Sequence, residues 1–593
     1  MKFISWPTPL ERQTVSSPWY FTLAKQLTLA VVLWLTHFFH SSQFGLYEDD
    51  WNRVPRIIGL DWHGIWTLLR ANLFTVSGQG RPLHGGFVFF FSYIGFRFGQ
   101  LPGIYVVAFF VLLTSTLLFQ SFLNKVFRDE RFAFLGALAF SIFPADTTQP
   151  FLTHALGLQS AIILLLIAFH LYLSGWKINS YLFIALILVN YETPYFVFAA
   201  APLLVPRSKY ELLRHWAIMF VILVCIAVAR TMSADARVSH MGKKDLMLGS
   251  LNIISGPLTS LSMYVYRPVT ALIHLRGLDA VVVTACAVGL AGVLAALYLQ
   301  KLRPGAEINA EISLEQTGST DSRRQLMIGF LLLLLAYPLT LTTAGIAVAG
   351  RGTRAHSAAI LGASILCAWA CSRILLRPSG RAGRRAAVIG IACFYALLVG
   401  FGLTVQHDYV LAWQEERGFW TDLVALCPSL QDGDVIFVEP TGLRDTRQLL
   451  FLRKDLTGVP DTRQIKSLDE VYRILPYLYA FPAEWQNPPR VFRLPLNWES
   501  KIFAGGDKLN PLTIEEGYAY EPGTLPPIDA SHAIFLDTNG GRLTRRSSLV
   551  NPKDGESLAL KTDSSSSNKN IEAPVYPYVI YPEGHAIAPY LAK

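Results

Sequence analysis

Apolar runs of roughly 18 to 22 residues recur through the first two thirds of this chain, each long enough to cross a hydrocarbon core of about 30 Å. Hydropathy places about eleven such spans, near 26–44, 103–123, 132–145, 155–174, 180–191, 194–206, 215–232, 279–299, 326–348, 357–376 and 386–405. Composition agrees: 52% of residues are hydrophobic and 16% charged, where a soluble chain carries about a quarter charged. The chain therefore reads as a polytopic α-helical membrane protein. The first apolar run ends at His40-Ser41-Ser42 with no small-residue cleavage pattern, so it reads as a retained anchor.

Charge then sorts the loops. Lys25, Lys125, Arg128, Arg131, Lys177, Arg207, Lys209, Arg214, Lys301, Arg303, Arg323, Arg324, Arg377, Arg381, Arg384 and Arg385 fall in short loops on one side. The positive-inside rule assigns that side, with the N-terminus, to the cytoplasm. It also accounts for the formal charge of +9 without a nucleic-acid partner. The opposite side holds Asp49, Asp50, Asp146, Glu192, residues 233–278, the Arg351–His356 turn and the C-terminal tail. Two outer segments need separate treatment. Residues 83–98 are apolar enough to cross, but a crossing would move the basic loop at 125–131 outside, so 81–101 reads as an interfacial or re-entrant helix, with a true span as the competing topology. Residues 245–266 read as a second interfacial helix, broken at Gly256-Pro257 and stopped by Pro268.

Composition changes near residue 406. Trp413–Leu426 reads as an amphipathic helix, and 434–439, 490–494, 533–537 and 576–581 as strands. Two domains are expected: residues 1–405 in the membrane, and 406–593 as an extracytoplasmic mixed α/β domain with its own core. The six cysteines form no CxxC and no pairing pattern, so neither a disulfide framework nor a zinc site is indicated.

Three outer groups carry candidate chemistry. Glu48-Asp49-Asp50, with Arg53, Arg81 and His84, crowds three acids whose repulsion must be offset by a cation, a metal or water. A carboxylate there can act as a base toward an acceptor hydroxyl, and adjacent residues on an extended strand cannot both do so; Asp49 is preferred. A solvated acidic turn is the alternative. Pro144-Ala145-Asp146, with Gln149, His154 and Gln159, closes the outer loop between two spans; Asp146 either serves the site or caps a helix starting near Thr147. Glu192 is a third outer acid, placed for support of an acceptor or for a helix end before Pro194. Gly350-Arg351-Gly352-Thr353-Arg354-Ala355-His356 sets two arginines and a histidine against the charge bias of the outer side. Arginine's planar fork suits phosphate, and the glycines admit backbone amides to an anion; arginines paired with lipid headgroups are the alternative.

The acidic pair after span one, Arg81-Pro82-Leu83 near the end of that loop, and a Pro-x-Asp turn two spans later together resemble the GT-C membrane glycosyltransferases. The likeness is to members that use polyprenyl-phosphate sugars, related to protein O-mannosyltransferases and lipid A aminoarabinose transferases. It covers the architecture of residues 20–405 but only short motifs. The sequence departs from it where Thr147-Thr148-Gln149 follows Asp146 and where Tyr191 precedes Glu192. The resemblance implies a GT-C-like fold with interfacial helices in the first outer loop. It implies that Asp49 or Asp50 is catalytic, with Asp146 and the outer arginines supporting the lipid phosphate or the acceptor. The expected activity is inverting transfer of a sugar from a polyprenyl-phosphate donor to a hydroxyl of a glycan, lipid or protein, at the outer face of a bacterial inner membrane. Arg351, Arg354, His356 and Arg81 would hold the donor phosphate, and Glu48, His84 and Glu192 would support the acceptor. No cofactor is required, although the clustered acids are compatible with a divalent metal. A transporter or flippase of lipid-linked saccharides, or a polymerase or ligase of them, is the competing expectation; charges at the ends of spans, without paired half-repeats, fit transport less well.

Overall fold

The computed structural model describes residues 19–593 apart from 52, 75–79, 206–207, 233–241, 300–321, 342, 378–379, 440–477, 480, 482–483, 495–497, 511–526, 539–540, 562–575, 583 and 588–593. The expected basic positions Arg207, Lys301 and Arg303 lie outside the described residues. The helices are α1 (Trp19–His37), α2 (Trp62–Phe74), α3 (Pro82–Phe127), α4 (Glu130–Ser141), α5 (Gln159–Leu173) and α6 (Lys177–Asn190). They continue with α7 (Lys209–Met232), α8 (Lys243–His274), α9 (Gly277–Leu299), α10 (Ile360–Leu376) and α11 (Arg381–Leu426). The chain divides into two compact units, one of Met1–Ser41 with Trp62–Gln406, the other of Ser42–Asp61 with His407–Lys593.

Among the described residues, eight helices are long and apolar enough to cross a membrane, as an integral membrane protein requires. Seven coincide with expected spans and the eighth is α8. The count of eleven is not confirmed. Its other four segments are α4 with 12 residues, α6 with 14, a nine-residue 3-10 helix over Tyr195–Leu203, and a helix over 322–334 that gives way to turns. Length is the physical reason: apolar content continued past residues that cap or turn the chain. Arg128 in left-handed conformation (φ 54°) ends α3, and the Asp129 carboxylate accepts from the amides of Arg131 and Phe132 to start α4.

Residues 82–127 form one continuous helical run, but Gly99 and Gln100 leave helical geometry and Pro102 follows. A Cβ on Gly103 would lie 2.2 Å from the Gly95 carbonyl oxygen. In a straight helix these positions stand about 12 Å apart along the axis, so the run folds back and residues 82–98 form a separate leg ahead of the expected span.

The expected break in the second interfacial helix is absent, because α8 runs through both Pro257 and Pro268. Its buried face, Asn252, Gly256, Ser260, Tyr264, Arg267 and Ala271, repeats every three to four residues across both prolines. Packing along that stripe outweighs a local cost of about 3 kcal/mol per proline. Although α8 is long enough to cross, its partners are Thr340, Tyr337, His356, Ala139, Ser364 and Val348, all in or beside the loops at one end of the bundle.

The opposite end collects the basic positions. Lys25 pairs with Glu130 at 2.8 Å, Lys177 with Glu211 at 3.0 Å, Lys125 reaches Ser174 at 2.6 Å, and Arg324 donates to the Leu204 carbonyl at 2.7 Å. The charge sorting read from the sequence thus separates the two ends of the first unit.

In the second unit, β1 (Val435–Val438) lies between β2 (Arg490–Arg493) and β6 (Ala533–Asp537), parallel to both, with β7 (Thr544–Arg546) antiparallel at the edge. Three short strands, β3 (Phe503–Gly505), β4 (Lys508–Leu509) and β5 (Ile528–Asp529), form a second sheet, and β8 (Ser548–Val550) pairs with β9 (Ser557–Ala559). Val435, Phe437, Trp498, Ile502 and Phe535 fill the core. The expected strand at 576–581 is instead a short helix, α12 (Tyr576–Val579), because the Arg417 guanidinium donates to the carbonyls of Val579 and Ile580 at 3.1 and 3.3 Å. The amphipathic helix expected at 413–426 is the continuation of α11.

Gly103→Val forces a branched side chain into the Gly95 backbone and should cost about 1–3 kcal/mol, read as a lower thermal midpoint in detergent. Gly292→Ala on α9, where a Cβ meets nothing within 4 Å, is the matched control and should leave the midpoint unchanged or higher.

Candidate functional site

Residues 142–153 join α4 to the π-helical turn His154–Leu158 that precedes α5, and all of them are buried. A buried loop must satisfy its polar groups internally. Asp146 Oδ1 accepts from the Thr148 amide at 2.9 Å and from the Thr148 hydroxyl at 2.6 Å. This is a carboxylate closing its own turn, not the helix cap expected near Thr147. The Thr148 hydroxyl also lies 2.7 Å from His154 Nδ1. Burial raises the Asp146 carboxyl to about 6, while the Thr148 bonds and the nearby Arg354 charge pull the other way.

Thr147 carries this loop to the arginine turn. Its amide donates to Thr353 Oγ1 at 3.2 Å, and the two hydroxyls lie 3.0 Å apart. Thr353 spends its single hydroxyl proton on the Gly350 carbonyl at 2.8 Å, so Thr147 is the donor between them. Gly350, at φ 71°, supplies the left-handed step that starts the 3-10 helix Arg351–Ala359. Arg351 and Arg354 stand half-buried on that turn, and their charges, with those of Arg81 and His84, act on the His154 ring. The second and third groups seen in the sequence are therefore one cluster. A recess enclosing ≈ 310 Å³, open solvent included, borders it, lined by Thr36, His37, Phe143, Asp146, Thr147 and Phe401.

Other expected residues take different roles. His356 is turned inward: Nε2 lies 2.9 Å from the Ala347 carbonyl, and Nδ1 lies 2.8 Å from the Tyr337 hydroxyl and 3.0 Å from Ser260 Oγ. Nε2 must carry the proton and Nδ1 must accept, so the ring anchors the arginine turn to α8 and has no nitrogen left for a phosphate. Arg81, at the N-terminus of α3, gives its fork to Glu192, with Nε to Oε2 at 2.9 Å, and stacks 4.0 Å over the Tyr191 ring. Glu192 also meets Arg230 at 3.5 Å. Burial alone would raise the Glu192 carboxyl, but Arg81 and Arg230 more than reverse it and hold it at about 2. Arg81 and Glu192 thus form a permanent ion pair joining α3, α6 and α7, rather than a phosphate contact and an acceptor support. His84 is buried with its ring against Gly157, where a Cβ would fall 2.3 Å away.

Asp49 and Asp50 belong to the second unit, in the 3-10 turn Glu48–Asp50; the Glu48 side chain lies outside the described residues. Asp50 is fully buried and accepts from the Tyr47 amide at 3.3 Å. Burial, aided by the Asp50 and Glu416 charges, pushes the Tyr47 phenol well above its usual range, and Tyr47 donates to the Tyr409 carbonyl at 2.9 Å. A Cβ on Gly45 would lie 1.7 Å from the Trp413 ring, so the segment is moulded to α11. Asp49 is half-buried, and its charge acts on Arg53. Outside these groups, His40 Nε2 lies 3.3 Å from Asp279 Oδ1, an ordinary acid–imidazole pair. Arg237 and His240 lie outside the described residues.

The sequence did not reveal Thr147, Thr148, Thr353, Ser260, Tyr337 or Arg230 as parts of these networks. Only the Asp-x-Thr spacing at 146–148 carries a local signal, that of a side-chain-closed turn. Searches against protein-family models, curated proteins and solved structures find no match to this chain.

Thr353→Val removes the link between the two loops at about 1 kcal/mol. Hydrogen exchange should then quicken in both 142–153 and 350–356; unchanged protection in either segment would count against the link. The Asp146 carboxyl should be ionised and attracted to Arg354 above about pH 6, and lose that attraction as pH falls through it. Infrared difference spectra of wild type against Asp146→Asn should show a carboxyl half-titrated near that pH; a carboxyl already ionised far below it would contradict the burial argument.

Proposed function

We propose that this chain is a membrane glycosyltransferase of GT-C type, moving a sugar from a polyprenyl-phosphate donor to an acceptor hydroxyl. The observation that supports it most is the Thr147–Thr353 bonding that sets a buried carboxylate in the field of Arg354, on a turn that also carries Arg351. Paired guanidiniums at the end of a helical bundle suit a lipid phosphate, whose anion they can match by bidentate hydrogen bonds. Arg351 and Arg354 hold the donor phosphate. Asp146 keeps Arg354 in place. The acceptor oxygen attacks the sugar C1, the C1–O bond to phosphate breaks with its electron pair passing to the phosphate, and the configuration inverts. The hydroxyl proton goes to a carboxylate, for which the resemblance offers Asp49 or Asp50; Asp50 is buried and already bonded to the Tyr47 amide, so Asp49 is the one to test. A monophosphate donor needs no metal under this scheme. With the basic end of the first unit taken as cytoplasmic by the positive-inside rule, this reading has the transfer occur at the opposite, outer face, in a bacterial inner membrane.

The test is turnover of purified protein supplied with polyprenyl-phosphate sugars. Asp49→Asn should stay folded and lose about 10²–10⁴ in rate, the worth of a positioned base. Near-normal transfer by both Asp49→Asn and Asp50→Asn would remove the assignment.

A further inference from the structure

Within the acid–arginine cluster, one acceptor atom is left over. Thr148 has a single hydroxyl proton, and it goes to Asp146 Oδ1 at 2.6 Å. Toward His154 Nδ1, 2.7 Å away, the same oxygen can only accept. Nδ1 therefore carries the proton, and the neutral ring presents Nε2 as a bare lone pair. The ring is 4% exposed, and among the described residues Nε2 makes no hydrogen bond. The guanidiniums of Arg354, Arg351 and Arg81 act on it, and the His84 ring lies among them. An imidazolium there would add one more positive charge to a group of guanidiniums.

A second observation points the same way. Gln149, on the Asp146 loop and 3% exposed, leaves its Nε2 without a partner among the described residues. Asn190 is fully buried; its Nδ2 donates to the Gly157 carbonyl of the His154 turn at 3.3 Å, while its Oδ1 has no hydrogen-bond partner among the described residues. Buried polar atoms are rarely left unmet in a folded protein unless a ligand or water completes them. A lone pair rejects an anion and accepts from a neutral donor such as a hydroxyl, which a sugar attached to a phosphate carries.

We propose that His154 Nε2, oriented by Asp146 through Thr148, is a sugar-hydroxyl acceptor in the donor site, so that the site reads the sugar of a polyprenyl-phosphate sugar as well as its phosphate. This rests on the transfer reading above, but its test needs binding alone. The purified full chain is titrated with a short-chain polyprenyl-phosphate hexose and with the same polyprenyl phosphate lacking sugar. Wild type should prefer the sugar-bearing lipid by about two- to tenfold, the range of one hydrogen bond. His154→Phe should abolish that preference while leaving affinity for the bare lipid phosphate unchanged, which also reports that the variant is folded. His154→Gln, which keeps an acceptor, should retain part of it, and Thr148→Val should weaken it by freeing the ring. A preference unchanged in His154→Phe, no preference in wild type, or equal loss for both lipids would overturn the inference. A His154-dependent preference in a protein that transfers no sugar would leave it standing and overturn the transfer reading instead.

Discussion

The arrangement hangs on a contact between two threonines 206 positions apart. Thr147 gives both its amide and its hydroxyl to Thr353. Each partner is fixed in turn, Thr353 by the Gly350 carbonyl and the neighbouring Asp146 turn by Thr148. Two such bonds amount to only about 1–3 kcal/mol, yet they hold a buried carboxylate in the field of Arg354. Without them the carboxylate and the arginine turn would belong to separate loops.

Around that contact the fold supplies stiffness from outside. The described residues of 340–350 have almost no regular structure, and α8 does the holding. Asn252 binds the carbonyls of Thr340 and Thr343 and the amide of Gly345, Ser260 and Tyr337 hold His356, and Arg267 binds the Val348 carbonyl. On the other side the Arg81–Glu192–Arg230 pairing ties α3, α6 and α7. A loop positioned this way can present arginines without burying them fully, as a site for an anion requires.

Much of the first unit was legible in the sequence because membrane helices announce themselves by length and charge. Among the described residues, Lys25, Lys125, Lys177 and Arg324 gather at one end, and seven of the eight long apolar helices fall where hydropathy puts them. Local signals account for the differences. The helices within 132–145 and 326–348 are shorter than hydropathy draws them, because caps and turns end them, and Pro257 and Pro268 are local stop signals overruled by a continuous buried stripe. Asp146 and the Arg351–Arg354 turn could be named from sequence, but their contact could not, since no periodicity links Thr147 to Thr353. His356 and Arg81 looked like phosphate ligands because residue type was visible and partners were not; Tyr337, Ser260 and Glu192 had already taken them. The membership of Ser42–Asp61 in the second unit was equally hidden, resting on aromatic packing of Tyr47 and Trp51 against Trp413.

Binding of a polyprenyl monophosphate to the purified protein, followed by phosphorus NMR or native mass spectrometry, tests the central claim most directly. Saturable binding in wild type, lost when Arg351 and Arg354 are both changed to alanine in a protein that still folds, is the expected result. Equal binding with and without those two side chains, or none in either, would mean that the turn held beside Asp146 is not a phosphate site.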